Sequence, residues 1–149
     1  MIRDFTPSDI DRVLEIWLNG NREAHSFISA TYWESNASPV KQLLLETEII
    51  IYEDRDGIQG FAGLQENYLA GLFIDSTHRS QGIGKQLLDE VKKRHGQLTL
   101  HVYEKNTRAI AFYIREGFTI AKTDVDEDTG HNEHTMTWSA NKGFSDILK

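Results

Sequence analysis

The apolar positions of this chain recur with two periods, one typical of strands and the other of helices. A β-branched run at Ile49 to Tyr52 is followed by a polar turn and a second run at residues 58–64, which predicts a hairpin. A third strand is expected at residues 68–74, and residues 98–103 alternate between apolar and polar side chains. Shorter strands are predicted near the two ends, at residues 2–5, 118–125 and 134–138.

Three amphipathic stretches predict helices. The first begins at the capping residue Thr6, and we expect Asn19-Gly20 to end it. The second is expected to end at Arg94-His95-Gly96, with the glycine just past the last helical turn. The third is bounded by Asn106, a favourable N-cap, and by Gly117. Apolar residues at helical spacing give the first two helices a buried face: Ile10, Val13, Leu14 and Trp17, then Ile83, Leu87, Leu88 and Val91.

The order of these elements is typical of an α/β fold. A helix connects the strand at 68–74 to the strand at 98–103, so these two strands should be parallel neighbours in a sheet that is otherwise mostly antiparallel. At 149 residues the chain suits one domain, residues 1–149, with a loosely held tail at about 141–149.

Composition removes several classes of function. The chain has no cysteine, which excludes disulfides, thiolate metal sites and a cysteine nucleophile. Its net charge of -7 disfavours nucleic acid as a partner and is compatible with a cationic acceptor. No apolar run approaches the roughly 18 residues that span a membrane. The N-terminus lacks the apolar core of a secretory signal, so we expect a cytoplasmic protein with no membrane partner.

The segment Arg79-Ser80-Gln81-Gly82-Ile83-Gly84 connects the third strand to the second helix. Glycines at a helix start let a ligand approach the backbone closely. The first amides of a helix have no intrahelical partner and favour anions. The segment therefore predicts a phosphate-binding turn. The alternative is an ordinary glycine-rich turn that opens a helix.

Two well-known phosphate loops do not fit this segment. A dinucleotide fingerprint needs a third glycine where Leu87 stands. A nucleoside-triphosphate loop needs Ser or Thr after Gly84-Lys85, where this chain has Gln86.

What remains, [Arg/Gln]-x-x-Gly-x-[Gly/Ala] at residues 79–84, resembles the pyrophosphate loop of the GNAT superfamily of acyl-CoA-dependent N-acyltransferases. Asn106-x-x-Ala109-x-x-Phe112-Tyr113-x-x-x-Gly117-Phe118 resembles the second signature of that family and follows the first by one helix and one strand. Ile16-Trp17, His25-Ser26-Phe27-Ile28 and Tyr32-Trp33 also resemble, more loosely, the small bacterial YiaC and YjaB branch. The resemblance covers essentially the whole chain. It implies helices on both faces of the sheet and a splayed parallel strand pair.

The resemblance implies acetyl-CoA as cosubstrate, and the reaction that it implies needs no metal. Loop amides would hold the pyrophosphate, and backbone groups of the strand before the loop would run beside the pantetheine arm like an added strand. The residues that it assigns to cofactor binding are Leu72, Phe73, Ile74, Arg79, Ser80, Gln81, Gly82, Ile83, Gly84, Lys85, Asn106, Ala109 and Phe112. An amide near Phe73 or Ile74 is a candidate oxyanion donor. Arg79 could instead be a surface arginine paired with a carboxylate, and Asn106 a plain N-cap.

Tyr113 is the catalytic residue that the resemblance implies, as the acid that protonates the departing CoA thiolate. A thiol titrates near 8.5 and a phenol near 10, so this transfer is uphill by only about 2 kcal/mol in water. The alternative is a core aromatic residue beside Phe112.

Residues 21–37 form an irregular stretch with aromatic side chains, for which we predict a second helix that covers one end of the sheet. Aromatic rings with polar tips suit the wall of an acceptor pocket. The candidate substrate-binding residues of this stretch are His25, Phe27, Tyr32 and Trp33. Covering the sheet is the alternative role for the same side chains.

The acceptor amine must lose a proton to attack, because a lysine-like amine is only about 0.04% neutral at pH 7. The strand at 68–74 carries no carboxylate that could take this proton, and the candidates are Glu66, Glu104 and His25. Two other patterns have simpler explanations. Asp124-x-Asp126-x-Asp128 lacks the glycine and glutamate of a calcium loop, and His131-x-x-His134 is read as a polar hairpin tip.

The sequence therefore predicts a transferase that moves acetyl from acetyl-CoA to a primary amine by direct attack in a ternary complex. The branch resemblance favours protein lysine or an N-terminal amine as acceptor. A small amine or amino-acid-like metabolite is the alternative acceptor. A CoA-binding sensor or interaction module without turnover is the alternative from another class.

Overall fold

The computed structural model describes residues 1–79 and 81–140. Within these ranges one seven-stranded sheet has the order β1-β2-β3-β4-β5-β7-β6. The strands are β1 Ile2–Asp4, β2 Glu48–Asp54, β3 Gly57–Gln65, β4 Tyr68–Ile74, β5 Gln97–Tyr103, β6 Thr119–Val125 and β7 Asn132–Ser139. Neighbouring strands are antiparallel except β4 and β5, which are parallel. The predicted α/β fold with a mixed, mostly antiparallel sheet and one parallel pair is confirmed.

Besides two short 3-10 helices, the described ranges contain five α-helices, which lie on both sides of the sheet as the resemblance implied. They are α1 Ile10–Ala24, α2 Ala30–Ser35, α3 Ala37–Leu45, α4 Ile83–Arg94 and α5 Thr107–Arg115. Alternate residues of one strand show the division, because Ile50 lies in the core with α4 whereas Ile49 and Ile51 lie in the core with α1. We call these two sides of the sheet the α4 face and the α1 face. Tyr113 of α5 also belongs to the core on the α4 face.

β4 and β5 separate soon after they meet. Their described pairing is the single bridge between Tyr68 and Thr99. On its other side β4 pairs with β3 along its length, but Gly63 faces Gly71 while Leu64 faces Leu69. β4 therefore carries one extra residue, Ala70, which is a β-bulge. A bulge bends its strand, and the result is a wedge-shaped gap between the two strands that we call the β4–β5 cleft.

Of the two expectations about helix ends, the one for α1 was wrong and the one for α4 was confirmed. Helix α1 continues through Gly20 to Ala24. A Cβ atom on Gly20 would lie 3.0 Å from the ring of Phe73, so this glycine permits a close contact between helix and sheet instead of ending the helix. Helix α4 ends at Arg94 as expected, but Gly96 does not have the positive φ of a left-handed cap, and His95 is already extended.

Ser80 and the tail at 141–149 lie outside the described residues, so the expectations for them stay predictions. Among the residues that are described, no helix is both long and apolar enough to cross a membrane.

Candidate active site

The turn before α4 has the backbone geometry of an anion site. Gly82 is left-handed, with φ of 78°, and occupies the N-cap of α4. The first bond of the helix ladder runs from the Gln86 amide to the Gly82 carbonyl. In the described part of the chain the amides from Gln81 to Lys85 have no acceptor, and they open a helix whose dipole favours negative charge. Gly84 lies between Phe112 and Ile74, where a Cβ would touch both side chains at 3.5 to 4.0 Å.

The two cations of this turn are already paired. Arg79 Nη2 lies 2.9 Å from Glu23 Oε2 of α1. Lys85 Nζ lies 3.2 Å from Glu116 and 3.6 Å from Asp89. Arg79 is thus paired with a carboxylate, as its alternative interpretation expected. Phosphate binding by its side chain would require exchange of that partner, whereas the loop amides need no such exchange.

Two hydrogen bonds show which backbone groups face the β4–β5 cleft. Below the bulge, the Thr99 amide donates to Asn67, so the odd-numbered residues there point toward β5. Above the bulge, the Asp75 amide donates to Gln59 of β3, so odd-numbered residues now point away from β5. The bulge has therefore changed which residues of β4 direct their backbone groups toward β5, from the odd-numbered to the even-numbered ones. Leu72 and Ile74 direct their amides and carbonyls into the cleft, and the Phe73 amide is used within the sheet.

Helix α5 carries the second signature and is fixed at both ends by local bonds. The Asn106 side chain accepts from the Ala109 amide at 3.3 Å. At the other end Gly117 is left-handed, with φ of 95°, and the Phe118 amide donates to the Tyr113 carbonyl at 2.9 Å. Both predicted caps are confirmed. Ala109 and Phe112 pack against the core of the α4 face.

Tyr113 lies two turns after Asn106 on the same side of α5. Its ring makes edge contacts with Phe112 and Phe118, each with 5.3 Å between ring centroids. It shares its core with Leu72 and Ile74 of β4. Burial raises the pKa of the Tyr113 phenol, which keeps it protonated at neutral pH. A thiolate released into the same apolar surroundings would also be poorly solvated and more basic, so burial of both groups need not widen the proton-transfer gap.

The four candidate acceptor residues form one aromatic cluster on the α1 face. His25 lies 5.7 Å from Phe27 and 5.4 Å from Trp33, and Trp33 lies 4.9 Å from Tyr32, measured between ring centroids. His25 and Trp33 are buried, whereas Phe27 and Tyr32 are half-buried. The structure thus brings all four together, and two of them have surface that a ligand can touch. Tyr103 of β5 joins the cluster at 5.1 Å from His25.

One hydrogen bond joins this cluster to the helix that carries Tyr113. Asn106 Nδ2 lies 3.2 Å from His25 Nε2. The Asn106 oxygen already accepts from Ala109, so its amide nitrogen donates and His25 Nε2 accepts. The proton of neutral His25 is thereby assigned to Nδ1, which is buried without a partner among the described residues. Burial lowers the pKa of His25 to about 4, so the ring is neutral at pH 7.

Carboxylates of the turn between β6 and β7 border the cluster. The Tyr103 hydroxyl donates to Asp126, whose other oxygen accepts from the Asp128 amide. Burial raises the pKa of Tyr32, and Asp128, Asp126 and Glu133 raise it further. These three carboxylates therefore place negative potential at the open side of the aromatic cluster.

The pairs that resembled metal sites have other partners. Asp126 closes its own turn by accepting from Thr129 and Asp128. His131 lies 4.8 Å from Phe27 in the aromatic cluster, and His134 Nδ1 lies 2.7 Å from the Thr123 hydroxyl. Of the suggested proton acceptors, Glu66 is exposed in the turn before β4, and Glu104 is exposed just after β5. His25 has its acceptor nitrogen occupied.

Sequence reasoning missed two residues of β5 that face the cleft region, His101 and Tyr103. The alternation of residues 98–103 indicated which of them share a face. Leu98, Leu100 and Val102 are buried on the α4 face, so the residues between them lie on the α1 face. Which residues would lie opposite them could not be read from that alternation.

Known proteins resemble this chain in sequence and in fold. A family described as Acetyltransferase (GNAT) domain matches residues 46–120. The chain is 34% identical over 140 residues to the peptidyl-lysine N-acetyltransferase YiaC of Escherichia coli, which covers 93% of this chain and 96% of that protein. The solution structure of apo YjaB from Escherichia coli has a TM-score of 0.82 and 26% identity, with 93% of this chain and 96% of that one covered.

A more distant structure extends the fold comparison. The structure of yncA from Salmonella typhimurium, described as a putative acetyltransferase with its cofactor acetyl-CoA, has a TM-score of 0.66 at 16% identity. It covers 95% of this chain and 94% of that one. At this identity the likeness concerns the fold.

Proposed function

This chain belongs to the GNAT family of acetyltransferases, and we propose that it transfers the acetyl group of acetyl-CoA to the ε-amine of lysine side chains in proteins. The observation that carries the proposal is the β4–β5 cleft, which lies between the open amides before α4 and the helix that carries Tyr113. The relatives named for peptidyl-lysine acetylation support this choice of acceptor.

In this proposal the α4 face of the cleft binds the cosubstrate. The amides of Gln81 to Lys85 hold the pyrophosphate, and a phosphate competes with Glu23 for Arg79. The inward-facing backbone groups of Leu72 and Ile74 satisfy the amides of the pantetheine arm, as an added strand would. Among the described residues, the Asn106 Nδ2 has one hydrogen-bond partner, His25, so the second hydrogen of that amide remains to reach the arm.

The α1 face receives the acceptor. The half-buried Phe27 and Tyr32 give the methylene stem of a lysine an apolar surface, while the carboxylates of the β6–β7 turn attract its charged head. The combination favours a cationic, extended side chain over a neutral or anionic amine. Basic residues that flank the target lysine would gain from the same potential.

Chemistry then takes place across the cleft in a ternary complex. The amine nitrogen attacks the thioester carbon at the end of the arm farthest from the pyrophosphate loop. There the Leu72 amide, which faces the cleft next to the bulge, donates to the oxygen that becomes negative. Tyr113 gives its phenolic proton to the departing sulfur from the α4 face. Direct attack requires no cysteine intermediate, in agreement with a chain that contains no cysteine.

A thiol-release assay tests this proposal. The purified protein with acetyl-CoA is offered lysine peptides with neutral or basic flanks, peptides with a free N-terminus and blocked lysines, polyamines and amino acids. We expect the fastest release with basic lysine peptides, and mass spectrometry should show a single acetyl group on the lysine. Turnover confined to small amines would overturn the acceptor assignment. Binding of acetyl-CoA without release from any amine would indicate the sensor function instead.

A further inference from the structure

His101 lies on β5 at the level of the bulge in β4. The parallel bridge sets Tyr68 opposite Thr99. Two residues further along both strands, Ala70 and Gly71 stand opposite His101 across the open part of the cleft. This is the level at which the backbone of β4 reverses sides and begins to offer its amides to the cleft. His101 is therefore at the rim of the proposed reaction centre.

The side chain of His101 points to the face opposite Tyr113. Its neighbours Leu100 and Val102 are buried in the core of the α4 face together with Tyr113. His101 and Tyr103 consequently face the other way, and Tyr103 is in contact with the aromatic cluster. The His101 side chain is 43% exposed, so it is accessible to a ligand. An amine that attacks from one face and a thiol that leaves from the other need proton acceptor and proton donor on opposite faces.

The contacts of His101 leave one ring nitrogen for a substrate. Its Nδ1 lies 3.5 Å from the Tyr68 hydroxyl and 3.8 Å from Glu133 Oε1. Within residues 1–79 and 81–140, Nε2 has no hydrogen-bond partner. A nearby carboxylate stabilises an imidazolium that forms when the ring takes up a proton.

The remaining charged groups near His101 can be assigned by strand register. Tyr68 of β4 and Glu133 of β7 face it directly, and Thr135 is its opposite neighbour on β7. Lys122 of β6 stands beyond Thr135 and is paired with Asp124 at 3.4 Å. Burial, Asp126 and Asp124 raise the pKa of Glu133, and His101 opposes that shift.

We propose that His101 Nε2 accepts the proton that the acceptor amine loses on attack, with Glu133 as its positioning residue. The inference rests on the acetyl transfer proposed above. The amine nitrogen forms a bond to the acetyl carbon while the carbon–sulfur bond breaks. One proton moves from nitrogen to His101, and one moves from the Tyr113 phenol to sulfur. His101 then releases a proton to solvent and Tyr113 regains one, so nothing is oxidised or reduced.

His101→Gln tests the proposal against a matched control. We expect kcat/KM with a basic lysine peptide to fall by about 10²- to 10⁴-fold. The increase in melting temperature caused by acetyl-CoA should be unchanged. The control is His134→Gln, because His134 is opposite Val102 on β7, faces the α4 side and is bonded to Thr123. This variant should keep the wild-type rate.

The pH profile distinguishes proton transfer from packing. In the wild type, log kcat/KM should rise with pH and lose one unit of slope where the His101 ring gives up its proton. His101→Gln should lack that inflection. Glu133→Gln should lower kcat/KM less than His101→Gln does, because it leaves the proton acceptor in place and removes only the carboxylate that stabilises the imidazolium. A His101→Gln variant that keeps more than a third of the wild-type kcat/KM and the same inflection would overturn the proposal.

Failure of the acetyl-transfer function would be seen separately. If the wild type acetylates no amine, the proposed function is wrong, and His101 is then judged by nitrogen NMR. Its Nε2 resonance must shift when a lysine peptide is added to the protein with desulfo-CoA. An unmoved resonance would rule out an amine contact at His101.

Discussion

The two faces of the β4–β5 cleft differ in what surrounds a group placed there. On the α4 face, Tyr113 is buried among apolar side chains, and its ring contacts are Phe112 and Phe118. On the α1 face, His101 is 43% exposed and borders a tyrosine and a carboxylate. The cleft is therefore dry at Tyr113, on its α4 face, and open to solvent at His101, on its α1 face, although the same two strands border both. We call these two sides of the cleft its dry face and its wet face.

This difference matches the demands of acetyl transfer. A leaving thiolate needs one proton donor and little water, since burial keeps the donor protonated. An incoming ammonium group needs charge and a route for its proton to solvent. The bulge at Ala70 makes both possible in the proposed mechanism, because it opens the sheet where the two substrates would meet. The following variants are designed to remove one face while leaving the other intact.

Gly82→Asp should have the largest effect, since it should abolish acetyl-CoA binding on the dry face of the cleft. The carboxylate would stand against the pyrophosphate at a turn where an added Cβ atom has no atom of the described residues within 4 Å. In the wild type, acetyl-CoA at about 100 times its Kd should add roughly 2.7 kcal/mol, or roughly 5 to 10 °C in Tm. Differential scanning fluorimetry should show no such shift in the variant.

Gly82→Asn is the control for that experiment. Asparagine has nearly the shape of aspartate without the charge and tolerates the left-handed conformation of this position. It should keep most of the acetyl-CoA shift. Equal loss in both variants would mean that strain at the turn, and not charge, is responsible.

Tyr113→Phe should come next, with kcat lower by about 10²- to 10⁴-fold. The ring and its packing remain, so the acetyl-CoA shift and the stability should change little. The acceptor KM should move less than kcat, because the lost interaction belongs to the transition state. Steady-state kinetics measure both quantities. Tyr52→Phe is the control, because it deletes a hydroxyl group against the same core. More than half of wild-type kcat, with chemistry rate-limiting, would reduce Tyr113 to a packing residue.

His25, on the α1 face, should make the free energy of unfolding depend on pH. Its pKa is lowered to about 4 by burial, against about 6.5 in the unfolded chain. Above pH 6.5 neither state binds the proton, and the stability is complete. As the pH falls from 6.5 to 4 only the unfolded state takes up the proton, so up to about 3 kcal/mol is lost.

Urea titrations from pH 7 to pH 4 measure this loss, and His25→Gln should flatten the curve over that interval. Gln can still accept a hydrogen bond from Asn106, so the variant should remain folded. An equally steep decline in the variant would assign the acid sensitivity to other groups. Asp9, whose pKa is lowered to about 2 by Arg3, would lose its contribution mainly below pH 4 and so outside this interval.

Asp128→Asn should have the smallest effect and is specific for the wet face. We expect the KM for a basic lysine peptide to rise about two- to threefold at low salt, because one carboxylate near the aromatic cluster is neutralised. The change should vanish at about 0.5 M salt, where charges are screened over a few ångströms. Asp56→Asn removes the same charge from a similar turn on the β2–β3 hairpin and should leave KM unchanged. A salt-independent change would point to altered turn geometry.

Local patterns determined much of this protein from the sequence. The bounds of β4 and both caps of α5 were predicted, because each depends on residues within a few positions of one another. The parallel pairing of β4 with β5 was predicted from the helix that connects the two strands, since a helical crossover joins parallel strands. The left-handed Gly82 and the open amides after it follow from the same short-range logic. So does the aromatic character of residues 21–37, whose members are close in sequence.

Contacts between distant residues decided the rest. Gly20 continues a helix because the Phe73 ring needs its space, and the pattern around Asn19-Gly20 contains no trace of Phe73. Arg79 is held by Glu23, and His25 by Asn106, across 56 and 81 positions of the chain. Alternation could divide β5 between two faces, but only the packed sheet placed His101 beside Glu133 and opposite the bulge. Such pairings depend on strand order and register, which local preferences do not encode.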